Sequence, residues 1–137
     1  MAEDLVSKYQ HQLLNQAQQT YRDTPISDAT VQAFLATLRH LFVQRYRERA
    51  SKEWREVNHD NLNQHLAMLY ADHPLTLYSE DDNDIPSTIS QPSFVLRMLD
   101  LLQFHPGQTV LELGARSGWN AALIGQLVEQ EPSFPNL

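Results

Sequence analysis

The segment Thr109–Trp119 reads TVLELGARSGW, and its pattern governs how the rest of the chain is interpreted. It starts with mostly apolar, β-prone residues, as a buried strand of a parallel sheet does. Gly114 and Gly118 then bracket a turn, and residues 120–128 follow with helical spacing. Glycine permits positive φ and close approach of a ligand, and a helix N-terminus offers unpaired N–H groups. The pattern predicts the opening βα unit of a nucleotide-binding fold, or an ordinary tight connection between a strand and a helix.

The composition is that of a globular chain with one modest domain. Of its 137 residues 42% are hydrophobic, the net charge is −7 and the pI is about 5.2. The negative charge argues against nucleic acid or an anionic membrane as a partner, and the lack of cysteine excludes disulfides. No apolar run approaches the roughly 20 residues that span a bilayer. The first residues, MAED, lack the basic start of a secretory signal, so we expect a cytoplasmic protein.

Helical patterns dominate the first part of the chain. Apolar residues recur four apart over residues 4–21, which predicts an amphipathic helix. Ser27 or Asp28 is a suitable cap for a second helix, whose apolar face continues to Phe42. Charges of alternating sign over residues 45–56 then predict a solvated helical face with ion pairs, and not a nucleic-acid patch.

The middle of the chain predicts a short helix, an extended segment and a loop. Residues 62–70 have helical spacing, and residues 75–78 read as extended. The acidic residues 80–84 do not match the spacing of a twelve-residue calcium loop, so we expect a solvated surface loop. Pro92 suits the first position of a further apolar-faced helix. The histidines show no paired spacing, so we predict no metal site.

Taken together, four segments resemble the protein-L-isoaspartate O-methyltransferase family. Arg39–Val43 (RHLFV) resembles its P-R-H-x-F-V segment, and Tyr70–Leu75 (YADHPL) resembles A-Y-x-D-x-P-L. Thr88–Pro92 (TISQP) resembles T-I-S-Q/A-P, at a short distance before Val110–Gly114 (VLELG), which resembles the S-adenosylmethionine-binding motif I. The order agrees with the family, and the resemblance covers about residues 28–128.

The resemblance implies an α/β fold: a helix-rich N-terminal part, then the first βα unit of a Rossmann-like methyltransferase domain. We expect a helical extension over residues 1–27, a helical region with a charged insertion over 28–87, and the truncated Rossmann-like domain over 88–137. The family continues into a second strand, whereas residues 129–137 contain two prolines that exclude a central strand. The sheet is therefore expected to be incomplete, as in a fragment, a truncated product or a chain completed by a partner.

The resemblance also implies a reaction, the transfer of a methyl group from S-adenosylmethionine to the carboxylate of isoaspartyl residues in proteins or peptides. A carboxylate has a pKa near 4 and is already ionised, so alignment and desolvation matter more than a general base. Ser90 matches the family serine that contacts the substrate carboxylate, although it could instead cap the helix that begins near Pro92.

The cofactor-binding residues that the resemblance implies are Glu112, Gly114, Ala115, Gly118 and Trp119. Glu112 would order the glycine turn and the polar groups of the cofactor. The Trp119 ring would either cover the adenosyl group or pack in the core.

Arg116 departs from the family pattern G-x-G-x-G, in which glycine occupies the middle position. Arginine there would adopt unfavourable dihedral angles or bring a cation close to the sulfonium, so we expect weakened cofactor binding and impaired activity. The alternative is a non-catalytic remnant that serves as a helical interaction module, with a homo-oligomer formed through the unpaired strand or the N-terminal helices. A dinucleotide-dependent oxidoreductase is disfavoured, since the acidic residue that it requires would have no second strand.

Overall fold

The computed structural model describes residues 2–80 and 86–129, in which helices predominate over short strands. The helices are α1 (Ala2–Thr20), α2 (Asp28–Ala36), α3 (Leu62–Leu69), α4 (Pro92–Leu101) and α5 (Trp119–Val128). The strands are β1 (Arg45–Tyr46), β2 (Arg55–Glu56), β3 (Leu75–Tyr78) and β4 (Ser87–Ile89). No helix among the described residues is long and apolar enough to cross a membrane.

The predicted amphipathic helix at the N-terminus is confirmed as α1. One of its faces is buried and packs on α3 and α4, with Leu13 and Ala17 almost inaccessible to solvent. Gln10 on this face is also buried, and its Nε2 donates to the carbonyl oxygens of Phe34 and Leu35 at 3.4 and 3.3 Å. The helix therefore attaches to the C-terminal end of α2 by hydrogen bonds as well as by apolar packing.

The second helix is shorter than the sequence pattern predicts. Ser27 caps α2, since its Oγ accepts a hydrogen bond from the Thr30 N–H at 3.4 Å. The helix ends at Ala36, so the predicted continuation to residue 42 is wrong, and Arg39–Phe42 forms a separate 3-10 helix. The break allows the first residue of the 3-10 helix to turn into the core, where its side chain is fully buried.

The charged segment over residues 45–56 is not a helix, and that prediction is wrong. β1 and β2 pair antiparallel, with Arg45 opposite Glu56. Tyr46 is fully buried, and the guanidinium of Arg45 lies 4.2 Å from the ring centroid of Trp54. Cation–π stacking and burial of one tyrosine thus hold together residues that the sequence pattern assigned to a solvated helical face.

The middle elements follow the predictions more closely. The short helix α3 and the extended segment β3 are both observed, and Pro92 opens α4 in its first turn. β3 pairs antiparallel with β4, with Leu75 opposite Ile89. Of the segment Thr88–Pro92, Thr88 and Ile89 therefore lie in β4, and Ser90 and Gln91 lie between this strand and α4. Of the predicted acidic loop, residues 81–84 lie outside the described residues.

Residues 109–113 do not form the strand that the sequence predicts. They have no strand partner in the part of the chain that the structure describes, where the strands form two antiparallel two-stranded sheets. Leu111 is 85% exposed and Leu113 is 86% exposed. A strand needs a neighbouring strand for its backbone hydrogen bonds, and the described residues supply none for this segment. The helix predicted to follow is present as α5, so the fold is an incomplete Rossmann-like α/β arrangement.

Candidate functional site

The glycine turn that precedes α5 has the backbone conformation that its sequence predicts. Gly114 and Gly118 have φ values of 77° and 82°, which glycine adopts without a Cβ clash. The Gly118 N–H donates to the Ala115 carbonyl at 2.8 Å and closes the turn. Arg116 also has a positive φ, of 34°, so the unfavourable dihedral angle expected for this residue is present.

Most of the predicted site residues line one small cavity beside this turn. The cavity has a volume of about 110 Å³. Ser90, Glu112, Gly114 and Ala115 all line it, together with Arg116. The turn contributes one wall, and the end of β4 together with Ser90 contributes the other. The two motifs that the sequence places about 20 residues apart therefore meet in space.

Glu112 is the unsatisfied group of this cavity. Its Oε2 is buried and has no hydrogen-bond partner among the described residues. A buried acceptor without a donor costs free energy, of the order of 1–3 kcal/mol. A ligand with N–H or O–H donors would remove that cost, whereas a purely apolar ligand would not.

Ser90 is not the residue that caps α4. The Ser93 N–H in the first turn of that helix donates to Asp72 Oδ1 at 2.8 Å, and Gln91 Nε2 lies 3.3 Å from Asp72 Oδ2. The structure thus assigns the capping of α4 to Asp72. The role of the Ser90 hydroxyl at the cavity stays a prediction.

Trp119 lies in the core, which is one of the two positions that the sequence left open. Its side chain is fully buried, and its ring meets Phe34 edge to face at a centroid distance of 6.5 Å. The guanidinium carbon of Arg39 lies 4.4 Å from the centroid of the ring. A ring enclosed in this way has no free face for an adenosyl group, so the packing alternative describes its position.

Arg39 and Asp72 contact the Ser90–Ser93 segment beside the cavity, and neither was selected from the sequence. Both residues belong to motif segments, and this was the only sign in the sequence that they bear on the site. Contacts between distant segments leave no periodic pattern in the sequence. Burial lowers the pKa of the Arg39 guanidinium to about 9, and the nearby Tyr70 and Asp72 partly oppose this shift. Burial also raises the pKa of the Tyr70 hydroxyl to about 12.

A larger groove adjoins the small cavity and shares Arg116 and Ser117 with it. Its volume is about 650 Å³, and Leu41, Phe42 and Tyr78 supply apolar lining. The small cavity alone is below the roughly 300 Å³ of a typical ligand pocket, so a nucleoside-sized ligand would need space outside it. Within residues 2–80 and 86–129 no cluster of potential metal ligands occurs.

The residues of the small cavity fit S-adenosylmethionine in part. The unpartnered Glu112 carboxylate suits a ligand that carries N–H and O–H donors, and a Cβ built on Gly114 would meet no heavy atom within 4 Å. That free space and the N-terminus of α5 leave room for close approach. Arg116 lines the same cavity and brings a positive charge to it. The site therefore fits the polar groups of the cofactor better than its sulfonium.

The sequence model of the protein-L-isoaspartate(D-aspartate) O-methyltransferase family matches residues 8–134. The chain belongs to this family. The match begins inside α1, so it extends beyond residues 28–128, over which the motifs carried the resemblance. It includes residues 8–20 of α1 and the charged hairpin of β1 and β2.

Individual relatives agree with this assignment. A protein-L-isoaspartate O-methyltransferase of Methanosarcina mazei is 34% identical over 75% of this chain and 32% of its own length. One of Thermococcus sibiricus is 48% identical over 39% of this chain and 26% of its own length. A solved structure titled protein-L-isoaspartate O-methyltransferase superposes with a TM-score of 0.58 at 27% identity, over 87% of this chain and 30% of that one. The chain thus spans about a quarter to a third of the length of these relatives.

Proposed function

We propose that the chain forms part of an S-adenosylmethionine-dependent site that methylates the carboxylate of isoaspartyl residues in proteins, and that Arg116 impairs this activity. The observation that carries the proposal is the cavity at which Ser90 meets Glu112, Gly114 and Ala115. The Glu112 Oε2 in this cavity is buried without a hydrogen-bond partner among the described residues, so a ligand with N–H or O–H donors would stabilise it.

Each residue has a role that follows from its chemistry. The substrate carboxylate is ionised at neutral pH, so the site needs to orient it rather than to remove a proton. The Ser90 hydroxyl would donate to that carboxylate, while Glu112 and the N-terminus of α5 would hold the polar groups of the cofactor. The bound cofactor supplies an activated methyl group.

Titration calorimetry with S-adenosylhomocysteine tests the cofactor part of the proposal. We expect the 137-residue chain to bind more weakly than with micromolar affinity, and Glu112→Gln to lose binding, because the neutral amide removes the charged acceptor. Asp60→Asn is the control, since this carboxylate is fully exposed and distant in sequence from the cavity-lining segments. Equal affinity of the unmodified chain and Glu112→Gln would contradict the assignment of Glu112.

Methylation of an isoaspartyl peptide tests the substrate part. Ser90→Ala should leave the affinity for S-adenosylhomocysteine unchanged and lower the rate of methyl transfer about tenfold or more, since it removes one donor to the substrate. Assays of the 137-residue chain and of any longer form of the gene separate an impaired chain from an incomplete one. Absence of methyl transfer in both forms would reject the proposal.

The second candidate is a non-catalytic module that binds a partner or another copy of the chain. The exposure of Leu111 and Leu113 favours it, because apolar side chains on an unpaired extended segment promote association. A concentration-dependent oligomer without methyl transfer would support this candidate. The expected cytoplasmic location and the lack of nucleic-acid and membrane partners stay predictions.

A further inference from the structure

Arg39 is a buried arginine that contacts Ser90 in one wall of the small cavity and Trp119, which directly follows the glycine turn of the other wall. Its side chain is fully inaccessible to solvent. Nε donates to the carbonyl oxygen of Leu69 at 2.9 Å, and Nη2 donates to the carbonyl oxygen of Ser90 at 3.1 Å. Its guanidinium also stacks on the ring of Trp119, the residue that follows Gly118. One side chain therefore contacts the end of α3, the segment before α4 and the start of α5.

Packing alone does not explain a guanidinium at this position. Its Nη1 is buried without a hydrogen-bond partner among the described residues, so the group is incompletely satisfied. Burying a cation carries a desolvation cost, which an apolar side chain of similar length would avoid. Local departures of this kind concentrate where a protein has to hold a site in one geometry.

The geometry of a guanidinium suits a connection between separate segments. Its planar fork presents several donors in fixed directions, while its flat face stacks on an aromatic ring. Here the fork fixes the Ser90 peptide and the face fixes Trp119. A lysine in the same place would offer a point charge and could not keep both contacts in one arrangement.

We propose that Arg39 is a positioning residue that holds the Ser90 segment in register with the glycine turn. The proposal rests on the proposed function, because the two segments are the walls of its cavity. Arg39 lies in the core and acts through the Ser90 carbonyl and the Trp119 ring, without touching a ligand. Its effect is on the relative placement of the groups that hold the substrate and the cofactor.

Hydrogen–deuterium exchange tests this coupling without requiring activity. Arg39→Met should raise exchange about tenfold in both residues 87–91 and residues 114–120, measured at a temperature at which the variant is folded, with α1 unchanged. Arg39→Lys should restore protection in at most one of the two segments, since it lacks the fork. Arg97→Met is the matched control on α4, because this arginine contacts Thr24 and Asp100 and not the cavity, and it should leave both segments unchanged.

Unchanged exchange in either segment of Arg39→Met, or an equal rise throughout the chain, would overturn the proposal. In a chain that methylates peptide, Arg39→Met should lower kcat about tenfold and change KM less than about twofold, because orientation and not affinity is lost. Equal effects on kcat and stability in Arg39→Met and Arg97→Met would also overturn it. Absence of methyl transfer in both the 137-residue chain and any longer form of the gene rejects the proposed function instead, and the exchange result alone then tests whether Arg39 couples the two segments.

Discussion

Arg116 adopts a backbone conformation that favours glycine and lines both the small cavity and the groove beside it. Two separate effects therefore act at one residue. The positive φ strains the backbone, by roughly 1 kcal/mol for a residue with a Cβ. The guanidinium adds a positive charge to the cavity that is proposed to hold a cofactor with a sulfonium. Substitutions can separate the two effects.

Arg116→Gly should raise the affinity for S-adenosylhomocysteine about tenfold, because it relieves the backbone and clears the cavity. Arg116→Ala removes the charge and keeps the Cβ, so it reports the effect of the guanidinium alone. Titration calorimetry on the three proteins gives the comparison. If Arg116→Gly binds no better than the unmodified chain, the residue is not the cause of weak binding.

At the scale of the element, the start of α4 depends on a side chain from another segment. Asp72 accepts a hydrogen bond from the Ser93 N–H, and Gln91, the residue before the helix, has no capping hydrogen bond of its own. The same carboxylate opposes the loss of charge on Arg39. Asp72 thus connects the chain that follows α3 to the beginning of α4.

Asp72→Ala should lower the free energy of unfolding by about 1–3 kcal/mol, since it removes both the cap and the charge. Asp72→Asn keeps an oxygen acceptor for Ser93 and should lose less, so the loss in Asp72→Asn measures the charge and the further loss in Asp72→Ala measures the cap. Urea unfolding gives both values. Asp60→Ala, at a fully exposed carboxylate, should match the unmodified chain. A result in which Asp72→Ala also matched it would refute the capping role.

Residues 109–113 have no partner strand among the described residues. Leu111 and Leu113 are exposed, and they should promote self-association in solution. Replacing both with lysine should shift the chain toward the monomer in sedimentation experiments, because like charges oppose edge pairing. Exposed Leu41, also replaced by lysine, is the control. Equal association before and after the double substitution would assign the contact to another surface.

At the scale of the whole molecule, one half-buried histidine, His40, links stability to pH. Burial lowers the pKa of His40 below its usual value of 6.5, and its Nδ1 lies 2.8 Å from the Tyr70 hydroxyl oxygen. The unfolded chain therefore takes up a proton at His40 near pH 6.5, before the folded chain does. The stability contribution is complete above pH 6.5 and is lost as the pH falls from there through the lower pKa of the folded state.

His40→Gln should reduce the dependence of unfolding free energy on pH between pH 5 and 7, by at most about 1.4 kcal/mol per pH unit. Urea unfolding at a series of pH values provides the measurement. His59→Gln, at a fully exposed histidine, should keep the original pH dependence. An unchanged profile in His40→Gln would show that another group controls the acid response.

Local periodicity and turn chemistry were sufficient for α1, α3, α4 and α5 and for the turn between Gly114 and Gly118, and they narrowed the cap of α2 to Ser27 or Asp28. These features depend on residues that are close in sequence, so their signals lie within one short window. The motif resemblance added that Ser90 and Glu112 belong to one site, and both line the same cavity.

The rest was decided by contacts between distant segments. Trp54 stacks with Arg45 in a hairpin, although the charge pattern of this segment is typical of a helix. Phe34 packs edge to face against Trp119 in the core. The segment over residues 109–113 has strand propensity but no partner strand within residues 2–80 and 86–129, and a strand forms only beside a neighbour. The sequence alone determined the family and the glycine turn of this protein. Only the tertiary structure decided which residues are buried beside that turn, because burial depends on partners that periodicity cannot identify.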